Sequence, residues 1–144
     1  MQRYQQGGGL IESLIALVVL SVGILGLVGM QANLLQQNTE SRVRMQAGFL
    51  ASSLLGMAAA NPENVGCYIV NSAASAACAS ADAQAQATGW TTEVMNGLPD
   101  AASVPPEVAY DNTSGQLVVT LRWRVAGDAS VHNFSAATQV STDI

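Results

Sequence analysis

The stretch Gly7–Met30 reads GGGLIESLIALVVLSVGILGLVGM and decides how the rest of the chain is organised. Across Leu10–Met30 the only polar residues are Glu12, Ser13 and Ser21. An apolar run of this length can cross a bilayer as an α-helix. The stretch therefore predicts a membrane-spanning helix close to the N-terminus.

Glu12 is the one charged residue within this apolar run. Placing a charged side chain inside a membrane helix costs roughly 2.5–3.5 kcal/mol, so such a residue is a candidate functional site. One interpretation puts Glu12 at the level of the lipid headgroups, because it lies near the start of the run. The other makes it an assembly contact, in which a buried carboxylate is paired with a positive charge.

The N-terminal flank does not match a secretory signal peptide. Such a signal has a basic start, an apolar region of about 7–15 residues and a small-residue cleavage site after that region. Here the small residues Gly7, Gly8 and Gly9 come before the apolar run. We therefore expect any processing to leave the helix on the mature protein. The position of Arg3 is compatible with a cytoplasmic N-terminus.

Gly7, the pentapeptide Gly8–Glu12 and the apolar helix that follows resemble the type III signal of type IV prepilins. The pentapeptide together with residues 14–27 is particularly similar to the PilV-like minor pilins. The resemblance implies that a prepilin peptidase cuts between Gly7 and Gly8, methylates the new N-terminus and leaves Glu12 at the fifth position of the mature chain. The chain departs from the usual pattern at Gly8 and Gly9, where most members have phenylalanine and threonine.

The resemblance also implies a location, a role and a set of partners. The protein would be a single-pass protein of the bacterial inner membrane, with a cytoplasmic N-terminus and a periplasmic head, and would later enter the pilus at the cell surface. As a minor pilin it would prime or join the type IV pilus and support pilus biogenesis, adhesion and twitching motility. Its partners would be prepilin peptidase, the inner-membrane lipid before assembly, and other minor pilins and the major pilin through the N-terminal helix.

Two other functions stay open from the sequence. A minor pseudopilin of a type II secretion system shares the whole N-terminal design. A membrane-anchored periplasmic binding module would need only the apolar helix. Glu12 separates a pilin or pseudopilin from a plain anchor, because an anchor has no need of a carboxylate at that position.

The chain is predicted to form an α+β fold, in which a long N-terminal helix packs against a small antiparallel sheet of three to four strands. We divide it into a leader (1–7), a membrane-spanning or filament-core half-helix (8–30), an amphipathic half-helix (31–60) and a globular head (61–144). An apolar stripe defines the amphipathic half: Val43, Ala47, Leu50, Leu54 and Met57. The predicted helix runs from about Gly9 to Ala60 and is ended by Pro62.

Periodicity also predicts the elements of the head. Trp90, Val94 and Leu98 lie on one face of a short helix. Residues 116–125 alternate between apolar and polar and predict a strand, with further strands near 108–111 and 131–140. Turn signals separate the strands at 112–115 and 126–129. On the outward face of the second strand, Arg122 and Arg124 would form a solvated surface or meet the carboxylates of a neighbouring molecule.

Cys67 and Cys78 are the only cysteines, and both follow the apolar run. An even count beyond a membrane-crossing segment favours a disulfide in an oxidising compartment. The alternative is two unrelated buried thiols.

Composition and motifs exclude several classes of function. Five basic against ten acidic residues give a net charge of −5, which does not suit the basic surface that nucleic-acid binding requires. His132 is the only histidine and has no cluster of cysteines or carboxylates around it in sequence, so we expect no metal site. The motifs of nucleophilic catalysis and phosphate binding are missing. We therefore expect no catalytic residue and no cofactor.

Overall fold

A computed structural model describes residues 8–72, 77–127 and 129–140. The predicted leader lies outside these ranges, as does Asp128 in the predicted turn. The elements, in chain order, are helix α1 (Gly8–Ala60), a 3₁₀ helix (Pro62–Tyr68), helix α2 (Ala81–Gly97) and strands β1 (Glu107–Asp111), β2 (Gln116–Trp123) and β3 (His132–Gln139).

The three strands form one sheet in the order β1-β2-β3, and each neighbouring pair is antiparallel. A long helix with a three-stranded antiparallel sheet is the α+β fold that the sequence predicted. The chain divides between Thr39 and Glu40 into an N-terminal unit and a compact C-terminal unit, and α1 contributes residues to both.

The core of the C-terminal unit contains the apolar stripe of α1. Val43, Ala47, Leu50 and Leu54 are buried, and Met57 is partly buried. The inward face of β2 lies in the same core and contributes Leu117, Val119, Leu121 and Trp123. The apolar residues that recur every three or four positions in α1 and every second position in β2 thus lie in one core, as the two sequence patterns indicated.

Helix α2 begins at Ala81, where the side chain of Ser80 accepts a hydrogen bond from the backbone N–H of Ala83. Such a cap satisfies one of the free N–H groups at a helix start.

Trp90 of α2 is buried, and its indole N–H donates to the carbonyl oxygen of Leu50 in α1 at 2.8 Å. One side chain therefore ties the two helices together through both packing and a hydrogen bond.

The hairpin between β1 and β2 is closed by Asp111. Its carboxylate accepts hydrogen bonds from the backbone N–H of Thr113 and from the hydroxyl of Ser114, both at 2.8 Å. The hydrogen bond from Ser114 is the main reason that the pKa of the exposed Asp111 carboxyl lies below its usual value, and the bond from Thr113 lowers this pKa further. Gly115 completes the turn with φ +68°, a conformation that glycine adopts readily.

Strand β2 ends at Trp123, before the end that alternation predicted at residue 125. The backbone N–H of Arg124 donates to the carbonyl oxygen of Pro99 at 3.1 Å, so this residue leaves the ladder of the sheet. Strand β1 begins at Glu107, and β3 occupies residues 132–139 of the predicted 131–140.

The two outward arginines pair with carboxylates of the same chain. Arg122 lies 2.7 Å from Glu107, and Arg124 lies 3.5 Å from Asp100. All four side chains are about two-fifths exposed, so each pair contributes at most about 1 kcal/mol. The sequence predicted either a solvated surface or carboxylates of a neighbouring molecule, and these intramolecular partners were not predicted.

Cys67 and Cys78 form a disulfide, which confirms the predicted pairing. The bridge joins the 3₁₀ helix to the segment that leads into α2. The adjoining residues 73–76 lie outside the described ranges.

Replacing both cysteines with serine is expected to lower the free energy of unfolding by about 3 kcal/mol, because the bridge closes a loop of about a dozen residues in the unfolded chain. Chemical denaturation of the full chain in detergent, followed by tryptophan fluorescence, measures this loss. Reduction of the wild-type protein should give the same value, since it removes the same constraint. A loss below about 1 kcal/mol in both experiments would contradict the prediction.

Candidate functional site

The first part of α1 meets the requirements of a membrane-spanning helix. The segment Gly9–Gln31 has a mean hydropathy of 2.5, and none of it is buried. The core helix of a soluble protein would pass the same test of hydropathy, but it would be mostly buried. The predicted apolar helix is therefore present, with the length and composition of a single-pass membrane anchor.

The large apolar side chains of this segment are exposed around the whole helix. Their exposed fractions range from 55% at Ile24 to 71% at Leu10. Each such side chain gains roughly 1.5–3 kcal/mol when it leaves water. An apolar surface this continuous requires lipid or other apolar helices around it.

The two serines of the segment leave this surface apolar. The Ser13 hydroxyl donates to the carbonyl oxygen of Gly9 at 2.8 Å, and the Ser21 hydroxyl donates to that of Leu17 at 2.7 Å. Both bonds run back one turn within the helix, a common arrangement for serine in membrane helices. Each hydroxyl thus has its partner inside α1.

Glu12 lies on the exposed surface of α1, among these apolar side chains. Within the part of the chain that the structure describes, its carboxylate has no hydrogen bond and no ion pair. A carboxylate that enters an apolar environment needs a cation and hydrogen-bond donors to offset the loss of water. The segment Gly9–Gln31 therefore presents one carboxyl group, without a partner among the described residues, on a surface that has no other charged residue.

The predicted cleavage position lies at the start of the described chain. Gly8 is the first residue of α1, and Gly7 falls outside the described residues. The structure therefore places Glu12 one helical turn after Gly8, and the bond between Gly7 and Gly8 stays a prediction from the motif.

Three glycines interrupt the apolar side chains further along the helix. A β-carbon built at Gly23, Gly26 or Gly29 would meet no atom within 4 Å. No contact described in this chain therefore requires these glycines. Small residues at such spacing allow the backbones of two membrane helices to approach closely.

The C-terminal unit offers less chemistry. A cavity of about 370 Å³ lies beside the disulfide, where α2 lines one wall with Thr88, Thr91 and Thr92. The hydroxyls of these threonines donate to carbonyl oxygens of their own helix.

Across residues 8–72, 77–127 and 129–140, no group of three His, Cys, Asp or Glu side chains could hold a metal ion. His132 stacks on Trp123, with its Nδ1 3.6 Å from a carboxylate oxygen of Glu40.

Two exposed apolar side chains of this unit were missed in the sequence. Met45 and Phe49 are 68% and 69% exposed on the side of α1 that faces away from the core. Their spacing of four residues, opposite the buried stripe, was the available signal.

Comparison of the chain with protein-family models, with curated proteins and with solved structures found no match. The class that the fold defines is an α+β protein with one N-terminal helix apolar enough to span a membrane and a disulfide-bonded C-terminal unit. Any more particular function depends on the residues themselves.

Proposed function

We propose that this chain is a minor pilin of the PilV-like type. It is a structural subunit that prepilin peptidase processes and that primes or joins a type IV pilus. The observation that carries the proposal is the unpartnered carboxylate of Glu12 on an apolar helix surface. A helix that served only as an anchor would gain nothing from a charge at this position, which disfavours membrane insertion.

Cleavage supplies the partner that Glu12 lacks. A cut between Gly7 and Gly8 creates a new α-amine, which carries a positive charge near neutral pH. In a filament core the amine of the same or a neighbouring subunit pairs with the carboxylate. A buried carboxylate left unpaired costs several kcal/mol, so subunits that enter out of register are disfavoured.

The same helix surface serves in two environments. Before assembly, lipid covers the apolar side chains of Gly9–Gln31. In the filament, the helices of other subunits cover them instead. Because both environments are apolar, the gain from removing these side chains from water is present in each.

The mass of the mature protein tests this proposal. When the full chain is co-expressed with a prepilin peptidase, we expect it to begin at Gly8, with or without an added methyl group. Gly7→Val should remain uncleaved, because the resemblance makes a glycine at this position part of the recognised motif. Intact-mass spectrometry of the detergent-extracted protein distinguishes the products.

A mature chain that still begins at Met1 in the presence of the active peptidase would overturn the proposal, as would a cut after Met30. A catalytically inactive peptidase serves as the control for unrelated proteolysis. The subunits that co-purify with the processed chain then separate a pilus from a type II secretion system.

A further inference from the structure

The two cysteines of the disulfide lie in different environments. Cys67 is only 6% exposed and belongs to the hydrophobic core of the C-terminal unit. Cys78 is exposed, as are the residues on either side of it, Ala77 and Ala79. A reagent that approaches from solvent therefore meets the Cys78 end of the bridge.

Contacts other than the bridge hold Cys67 in its buried position. It lies in the 3₁₀ helix, where Val65 and Tyr68 are buried beside it. The Tyr68 hydroxyl donates to Oε1 of Gln86 in α2 at 3.0 Å. These contacts do not involve a sulfur atom, so they keep Cys67 inside the C-terminal unit when the bridge is opened.

Both sulfur atoms lie beside one backbone carbonyl group. Sγ of Cys78 is 3.3 Å from the carbonyl oxygen of Ser80, the residue that caps α2, and Sγ of Cys67 is 3.6 Å from the same oxygen. A thiol donates a hydrogen bond, which a disulfide sulfur cannot do. The Ser80 carbonyl group therefore offers an acceptor to either cysteine once it is reduced, and this keeps the two thiols close together.

These environments determine which sulfur takes part in thiol–disulfide exchange. In this reaction a thiolate attacks one sulfur of a disulfide and the other sulfur leaves, so the rate depends on access to the attacked atom. The core surrounds Cys67, whereas solvent reaches Cys78. Attack from solvent is therefore directed to Cys78.

We propose that Cys78 is the site at which an external thiol exchanges with the disulfide of the folded chain, and that Cys67 is the internal resolving thiol. The incoming thiolate forms a bond with Sγ of Cys78. The bond between the two cysteines breaks, and its electron pair leaves with Sγ of Cys67. The products are a mixed disulfide on Cys78 and a thiolate on Cys67.

The position of Cys67 also determines which class of thiol opens the bridge. Because Cys67 stays next to Cys78, its thiolate attacks the mixed disulfide, restores the bridge and expels a monothiol. A dithiol prevents this return, since its second thiolate attacks its own first sulfur and releases Cys78. The dithiol becomes a disulfide, and its two protons and two electrons pass to Cys67 and Cys78. The partner is therefore a dithiol of the kind that thiol–disulfide oxidoreductases carry.

Single substitutions of the two cysteines test the inference, which does not rest on the proposed function because it uses only the C-terminal unit. Cys67→Ser leaves Cys78 as the only cysteine, and Cys78→Ser leaves only Cys67. Both variants lack the bridge, so each is the matched control of the other. In the full chain in detergent, dithionitrobenzoate should react about tenfold or more faster with Cys78, because a buried thiol reacts only after local opening.

In concentrated urea the two variants should react at the same rate, since unfolding exposes both thiols. Equal rates without urea, in variants that keep the circular dichroism of the wild type, would overturn the inference. So would a faster reaction of Cys67.

The wild-type chain provides a second test that does not depend on how the variants fold, because its bridge is intact when the thiol attacks. The full chain in detergent is mixed with excess reduced glutathione, and acid stops the exchange at early times. Peptide mass spectrometry should locate glutathione on Cys78 about tenfold or more often than on Cys67. Equal amounts on both cysteines, an excess on Cys67, or no adduct on either would overturn the inference.

Discussion

Glu12→Ala should leave cleavage at Gly7 intact and abolish incorporation of the subunit into filaments. The substitution removes the only charged residue within Leu10–Met30. In the proposed filament, the α-amine created by cleavage would then lose its partner. Removing one member of a buried ion pair typically costs about 3–5 kcal/mol, because the other charge stays buried and unpaired. A loss of this size corresponds to a more than hundredfold lower occupancy in the filament.

Filaments sheared from cells, compared with the membrane fraction by immunoblot, measure the incorporation of each variant. Glu12→Gln keeps the shape of the side chain without the charge and should fail as the alanine variant does. Ser13→Ala is the matched control, because the Ser13 hydroxyl is bonded within its own helix, and it should enter filaments normally. Normal incorporation of both Glu12 variants would remove the basis for an assembly contact at this residue.

The largest effect on folding is expected at Trp90. Trp90→Ala should lower the free energy of unfolding by about 3–5 kcal/mol, as is typical for truncation of a buried aromatic side chain. The indole fills the space between α1 and α2, where only 2% of it is exposed. Denaturation of the full chain in detergent, followed by circular dichroism, measures the loss.

Trp90→Phe separates the hydrogen bond of this residue from its packing. It keeps most of the aromatic volume but removes the N–H that donates to Leu50, so a loss of about 1 kcal/mol is expected. Thr92→Ala changes an exposed position of the same helix and should stay within about 0.5 kcal/mol of the wild type. If Trp90→Ala cost no more than this control, the helix pair would not depend on the indole.

Periodicity predicted the helices and strands because one face of each element is buried along its length and the opposite face is exposed. The stripe of α1 repeats every three or four residues, and β2 alternates without interruption from Leu117 to Trp123. These patterns report which side of an element is buried, and they give no information on what covers it. The end of β2 at Trp123 depends on a bond from Arg124 to Pro99, which no local pattern contains.

Contacts between distant residues account for the remaining differences. The pairing of Arg122 with Glu107 follows from the register of β1 and β2, which alternation alone leaves open. The central position of β2 in the sheet also depends on strand order, so the sequence could not reveal it. Glu12, by contrast, could be proposed as a functional residue from the sequence, because a charged residue inside an apolar run is informative before any fold is known.

The hydroxyls of Ser13 and Ser21 have a consequence for how readily the helix changes its surroundings. Since each is bonded to a carbonyl oxygen one turn earlier, transfer of α1 from one apolar medium to another neither breaks nor forms a serine hydrogen bond. The barrier to leaving or re-entering the bilayer therefore contains no polar contribution from these two side chains.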